Sequence, residues 1–82
     1  MAYFVYILQS LKDSRYYIGV TTDIAARLDY HNSGRQRSTH NRIPFKLVYQ
    51  EQFEDKISAL KREKQIKSYK GGEAFKRLVN GA

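Results

Sequence analysis

Tyr3-Phe4-Val5-Tyr6-Ile7-Leu8, then Lys12-Asp13-Ser14, then Tyr16-Tyr17-Ile18-Gly19-Val20: these residues decide the fold. Aromatic and β-branched residues fill the two outer runs, and Asp and Ser stand between them, so the stretch reads as a β-hairpin with a polar turn. Side chains alternate along a strand. Tyr3, Val5 and Ile7 therefore share one face, and Phe4, Tyr6 and Leu8 the other. Both faces are largely apolar, which predicts a strand buried on two sides. Gly19 interrupts the second strand, where glycine marks a bulge or the close approach of another group. The hairpin thus offers phenols beside a glycine, although most hairpin tyrosines serve packing alone.

Working outward, Thr21-Thr22-Asp23 signals a helix start, with either threonine as the cap and Asp23 favoured by the helix dipole. The helix runs from Ile24 to His31 and stops at Asn32-Ser33-Gly34, where Gly34 suits a left-handed terminating position. Ile24 and Leu28 should face the core, while Arg27 and His31, one turn apart, line an adjacent stripe. The run Arg35-Gln36-Arg37-Ser38-Thr39-His40-Asn41-Arg42 lacks acids and hydrophobic periodicity, and it reads as an exposed, mobile loop ended by Pro44. A third strand, Phe45 to Gln50, alternates Phe45, Leu47 and Tyr49 toward one face.

Asp55 or Ser58 opens a second helix extending through Tyr69, with Ala59, Leu60 and Ile66 as its core stripe. Glu63, three residues from both Leu60 and Ile66, lies on or beside that stripe, an unusual place for a merely solubilising charge. Lys61, Arg62 and Lys64 spread over the outer surface. Gly71-Gly72 breaks the helix, and Glu73 to Val79 forms a short closing helix with Phe75, Leu78 and Val79 inward. Asn80-Gly81-Ala82 should fray.

The order strand, strand, helix, strand, helix, helix predicts an α+β fold: a small three-stranded, mostly antiparallel sheet flanked by helices. Eighty-two residues suit a single domain spanning 1–82. The absence of cysteine excludes disulfides and thiolate metal sites and is compatible with a cytoplasmic location. Neither a signal peptide nor a membrane span is expected. A formal net charge of +7 on so short a chain favours an anionic partner, nucleic acid before a membrane surface.

Tyr6 and Tyr17 at this spacing, Arg27 and His31 in the following helix, and Glu63 within Ala59-Leu60-Lys61-Arg62-Glu63 together resemble the GIY-YIG nuclease superfamily. The similarity is greatest to its small stand-alone bacterial members, akin to the nuclease domain at the front of the excision-repair protein UvrC. It covers nearly the whole chain. The resemblance implies hydrolysis of DNA phosphodiesters with one divalent ion, Mg²⁺ or Mn²⁺. It also implies that Tyr6, Tyr17, Arg27 and His31 are catalytic and that Glu63 is both catalytic and the metal-binding carboxylate. Phe4 stands where the family name has glycine, and Val20 and Thr21 stand where some relatives carry lysine. That lysine's phosphate contact is either absent or replaced by Lys12, Arg15 or Arg35. The asparagine near the end of many such domains has no match, Asn80 lying too far along.

The chemistry agrees. Phosphodiester cleavage needs an activated water, a countercharge and a stabilised leaving oxygen. One carboxylate suffices to anchor Mg²⁺, and a guanidinium holds phosphate with paired hydrogen bonds. Either phenol can serve as base if its pKa, ordinarily about 10, is lowered. Each residue also has an ordinary structural role: Glu63 pairing with Lys67, Arg27 with Asp23, His31 at a helix end, both tyrosines in the core.

DNA, branched or damaged, is the expected partner. It would be bound through phosphates by Arg35, Arg37, His40 and Arg42 of the loop and by Lys61, Lys64 and Lys67 of the second helix, with low sequence specificity. Repair or processing is the expected setting. Two other readings compete, an accessory nucleic-acid-binding module without useful catalysis and a domain whose basic surface meets an acidic protein.

Overall fold

The computed structural model describes residues 2–37 and 39–80; the expected fraying at Gly81 and Ala82 lies outside the described residues. Strand β1 (Tyr3–Ser10) pairs antiparallel with both β2 (Tyr16–Thr21) and β3 (Phe45–Phe53), giving the sheet order β2-β1-β3. Helix α1 (Ile24–Asn32) follows β2, and α2 (Lys56–Ser68) and α3 (Glu73–Val79) follow β3. The fold is α+β with a three-stranded antiparallel sheet, as the hairpin predicts.

The central place of β1 explains its double-sided apolar pattern. On one face Val5 and Ile7 pack with Ala59, Ile66 and Phe75, which brings α2 and α3 against the sheet. On the other, Tyr6 and Leu8 pack with Phe45, Tyr17, Ile24 and Leu28, which seats α1. Leu78 and Val79 close the first cluster, as their spacing predicts.

Several local expectations are corrected. Asp23, not a threonine, is the N-cap of α1, because its carboxylate accepts from the Ala26 amide at 3.0 Å; Thr21 instead bonds the Asp23 amide. Of the two starts expected for α2, Asp55 is the N-cap, its carboxylate accepting from the Ser58 amide. Leu60 is 42% exposed, so the core stripe of α2 consists of Ala59 and Ile66. Tyr49 does not share a face with Phe45 and Leu47. Ile7 pairs with Tyr49 but Leu8 with Leu47, so Val48 is an extra residue that reverses the alternation. Tyr49 therefore joins the α2 side, where its hydroxyl donates to Glu51. Arg62 is likewise not an outer-surface charge: half-buried, it donates to Glu51 at 3.2 Å and to Gln65 at 2.8 Å.

The largest correction concerns the 35–42 segment. Thr39 is buried, and a 3-10 turn occupies His40–Arg42. Ser10 donates its hydroxyl to the Arg42 carbonyl at 2.5 Å, and the Arg42 guanidinium meets Asp13 at 3.2 Å. Arg42 is thus tied to the β1–β2 hairpin and Thr39 is buried, whereas Arg35, Arg37, His40 and Asn41 are exposed, as their composition predicts. The following Ile43–Pro44 peptide is cis.

Candidate active site

Tyr6 leaves the middle of β1 and points toward α1. Its cross-strand partner is Gly19, and a Cβ there would stand 2.5 Å from the Tyr6 hydroxyl and 2.7 Å from its ring. The glycine therefore makes room for the phenol. Tyr6 is 3% exposed; burial, then Tyr17 and the Glu63 charge, push its pKa up to about 12 against the opposing pull of Arg27.

His31, in the last turn of α1, is fully buried among aromatic rings. Its ring centre lies 4.7 Å from Tyr17, 5.9 Å from Tyr30 and 5.9 Å from Phe45. Nε2 is 3.4 Å from the Tyr6 hydroxyl, and Nδ1 is 3.2 Å from the Thr39 hydroxyl. Burial, and secondarily the Arg27 charge, holds its pKa below the ordinary imidazole value. The ring is accordingly neutral near neutral pH.

Tyr17, from β2, is half-buried and lies 6.4 Å from Tyr6 between ring centres. Arg27 is half-buried, and among the described residues it forms no ion pair, so the pairing with Asp23 does not occur. Its guanidinium lies over Tyr30 at 5.6 Å and borders an open cavity of about 360 Å³ with Thr21, Asp23, Ala26 and Tyr30. Its charge acts on both Tyr6 and His31. Glu63 comes from α2, packed on the opposite sheet face. Its charge reaches the Tyr6 phenol, but its carboxylate pairs with Lys67 at 3.2 Å.

The structure thus brings Tyr6, Tyr17 and His31 into one aromatic cluster, with Arg27 at its rim and Glu63 within electrostatic reach. Among the described residues, no three His, Asp or Glu side chains gather as a metal cage. A donor set of one half-exposed carboxylate suits a hydrated Mg²⁺, which keeps several waters and takes one or two carboxylates with substrate phosphates.

The basic residues are unevenly placed. Arg35 and Arg37 are exposed, and Arg35 lies over Tyr30 at 5.6 Å, beside Arg27. His40 is exposed with Nδ1 2.7 Å from the Arg37 carbonyl. Arg42 is engaged by Asp13 and stands over Phe45. Lys61, Lys64 and Lys67 are exposed along α2, the helix that carries Glu63. Sequence reasoning missed Thr39, whose buried hydroxyl carries no hydrophobic or spacing signal in a polar run.

The three-stranded β2-β1-β3 sheet with its three helices is the fold of the GIY-YIG class of domains. The chain belongs to the GIY-YIG family: the family model described as the GIY-YIG catalytic domain matches residues 2–75. Similar proteins include the UPF0213 protein SH2523 of Staphylococcus haemolyticus, 39% identical over 77 residues and aligned across 93% of both chains. A UPF0213 protein of Staphylococcus aureus (strain Mu3) is 45% identical over 69 residues, 83% of each chain. The solution NMR structure of the UPF0213 protein BH0048 from Bacillus halodurans aligns with a TM-score of 0.60 at 36% identity, covering 98% of this chain and 84% of that one. Membership of this family gives the chain endonuclease potential. Among the described residues no helix is long and apolar enough to cross a membrane.

Proposed function

We propose that the protein is a metal-dependent endonuclease that hydrolyses DNA phosphodiester bonds, directed by DNA structure more than by sequence, in DNA repair or processing. The observation that carries this reading is the convergence of Tyr6, Tyr17 and His31, from three different elements, beside Arg27.

The residues divide the work by exposure. Arg27 borders an open cavity and holds a phosphate oxygen, offsetting charge that builds in the transition state. Tyr17 is the more exposed of the two catalytic phenols, so it meets substrate and orients the attacking water. Tyr6, buried and protonated, anchors His31. Glu63 would hold the divalent ion, which when bound lowers the pKa of water and offsets phosphate charge. Exposed Arg35, Arg37, His40, Lys61, Lys64 and Lys67 supply phosphate contacts without base readout.

The Lys67–Glu63 ion pair favours a second reading, a nucleic-acid-binding accessory module, because it occupies the carboxylate that the ion needs. The deciding experiment incubates labelled single-stranded, duplex, flap and four-way DNA with the protein and Mg²⁺ or Mn²⁺, with and without chelator. Cuts that require the metal support the nuclease. Binding of the panel without cuts supports the module.

A further inference from the structure

We propose that Thr39 is a positioning residue whose hydroxyl holds His31 in the Nδ1–H tautomer, leaving Nε2 to accept a hydrogen bond from the Tyr6 phenol. The inference deepens the nuclease reading and rests on it for its catalytic consequence, though not for the tautomer itself.

The groups at the two ends of the chain set its direction. Thr39 is 1% exposed and its Oγ1 lies between two groups: the Gln36 carbonyl at 3.5 Å and His31 Nδ1 at 3.2 Å. The Gln36 carbonyl, which also accepts from the Thr39 and His40 amides at 3.1 and 2.9 Å, offers the Thr39 hydrogen an acceptor. The Tyr6 hydroxyl, whose hydrogen-bond partner among the described residues is His31 Nε2, needs that nitrogen bare, so the Thr39 oxygen accepts from Nδ1–H. With one proton on the neutral ring, Nε2 is bare, and the Tyr6 hydroxyl at 3.4 Å is its donor. Among the described residues, His31 has the rings of Tyr6, Tyr17, Tyr30 and Phe45 around it and the Arg27 charge nearby, with no carboxylate bonded to it. Nothing there favours a second proton. The chain Gln36, Thr39, His31, Tyr6 therefore runs one way, from the Tyr6 phenol and the imidazole to the backbone of the basic segment.

The function would be orientation. Tyr17 packs against the same imidazole with its ring tilted by 59°, so a ring held at both nitrogens fixes both phenols. Thr39 touches neither substrate nor the reacting atoms in this scheme.

Long-range proton–nitrogen NMR of the nitrogen-15-labelled chain at pH about 8, above the ordinary imidazole range, reads the tautomer directly. A His40→Asn variant, with one histidine left, assigns the signals. Wild type should show Nδ1 protonated and Nε2 bare. Thr39→Val should populate the Nε2–H form and lower kcat about tenfold, the scale of one net hydrogen bond; Thr39→Ser should restore both. An Nε2–H tautomer in wild type, or Thr39→Val retaining pure Nδ1–H, overturns the proposal. The wild-type spectrum decides even if Thr39→Val does not fold. The predicted tautomer in a protein that cuts no DNA would support Thr39's role while overturning the nuclease reading.

Discussion

Gly19 lies directly opposite Tyr6 in the β1–β2 ladder, and the Tyr6 phenol occupies the space that any side chain at position 19 would need. Tyrosine is rigid, and this one is packed at 3% exposure, so it cannot swing aside cheaply. Gly19→Ala should therefore destabilise the fold by about 1–3 kcal/mol, the usual cost of overpacking. It should also lower cleavage about a hundredfold, as expected for a displacement near 1 Å. Denaturant unfolding and single-turnover cleavage measure the two effects; an alanine variant with wild-type stability and rate would contradict the close fit.

The buried Tyr6 phenol predicts alkaline sensitivity. Its folded-state pKa is about 12, against about 10 for an unfolded tyrosine. The unfolded chain thus loses this proton first. Its contribution to stability is complete below pH about 10 and is lost as pH rises toward about 12. Wild type should lose more thermal stability than Tyr6→Phe across that interval. Parallel curves for the two proteins would show that the phenol is not protected.

DNA binding should divide the basic segment in two. Arg37 is exposed, whereas Arg42 is held by Asp13 at 3.2 Å. If Arg37 contacts one phosphate, Arg37→Ala should flatten the plot of log affinity against log salt by about 0.9. Arg42→Ala should instead cost about 0.2–1 kcal/mol of folding stability with a smaller change in slope. Fluorescence anisotropy over a salt series, with unfolding curves for each variant, separates the roles. Equal salt effects from both substitutions would contradict the assignment.

The fold was legible where local pattern and tertiary environment agree. The doubly apolar run from Tyr3 to Leu8 marks the central strand, and Gly34, with φ of 78°, ends α1 as its position predicts. Legibility failed where one residue changes a phase. The extra Val48 in β3 sends Tyr49 to the other face, and no composition rule announces a bulge. Leu60 satisfies the helical period yet remains exposed, as does Ile57 at 67%, because the sheet meets α2 along a stripe narrow enough for Ala59 and Ile66 alone to be buried. At the site, the hairpin phenols and the Arg27–His31 stripe could be read from spacing. Thr39 could not, since its partners are eight residues away or nearer only through the fold of a polar loop. Nor does the sequence reveal that Arg62, inside a basic run, turns inward to Glu51.

The central claim is that Glu63 serves the chemistry and is not merely half of a surface ion pair with Lys67. The Lys67 side chain is 56% exposed and that of Glu63 20%, so solvent partly screens the pair, which contributes about 1 kcal/mol, a loss the fold should withstand. The most direct test compares wild type with Glu63→Ala for Mg²⁺-dependent cleavage and for binding of the same DNA. Cleavage should disappear while binding and the unfolding midpoint stay close to wild type. Cleavage by Glu63→Ala at the wild-type rate would contradict that claim.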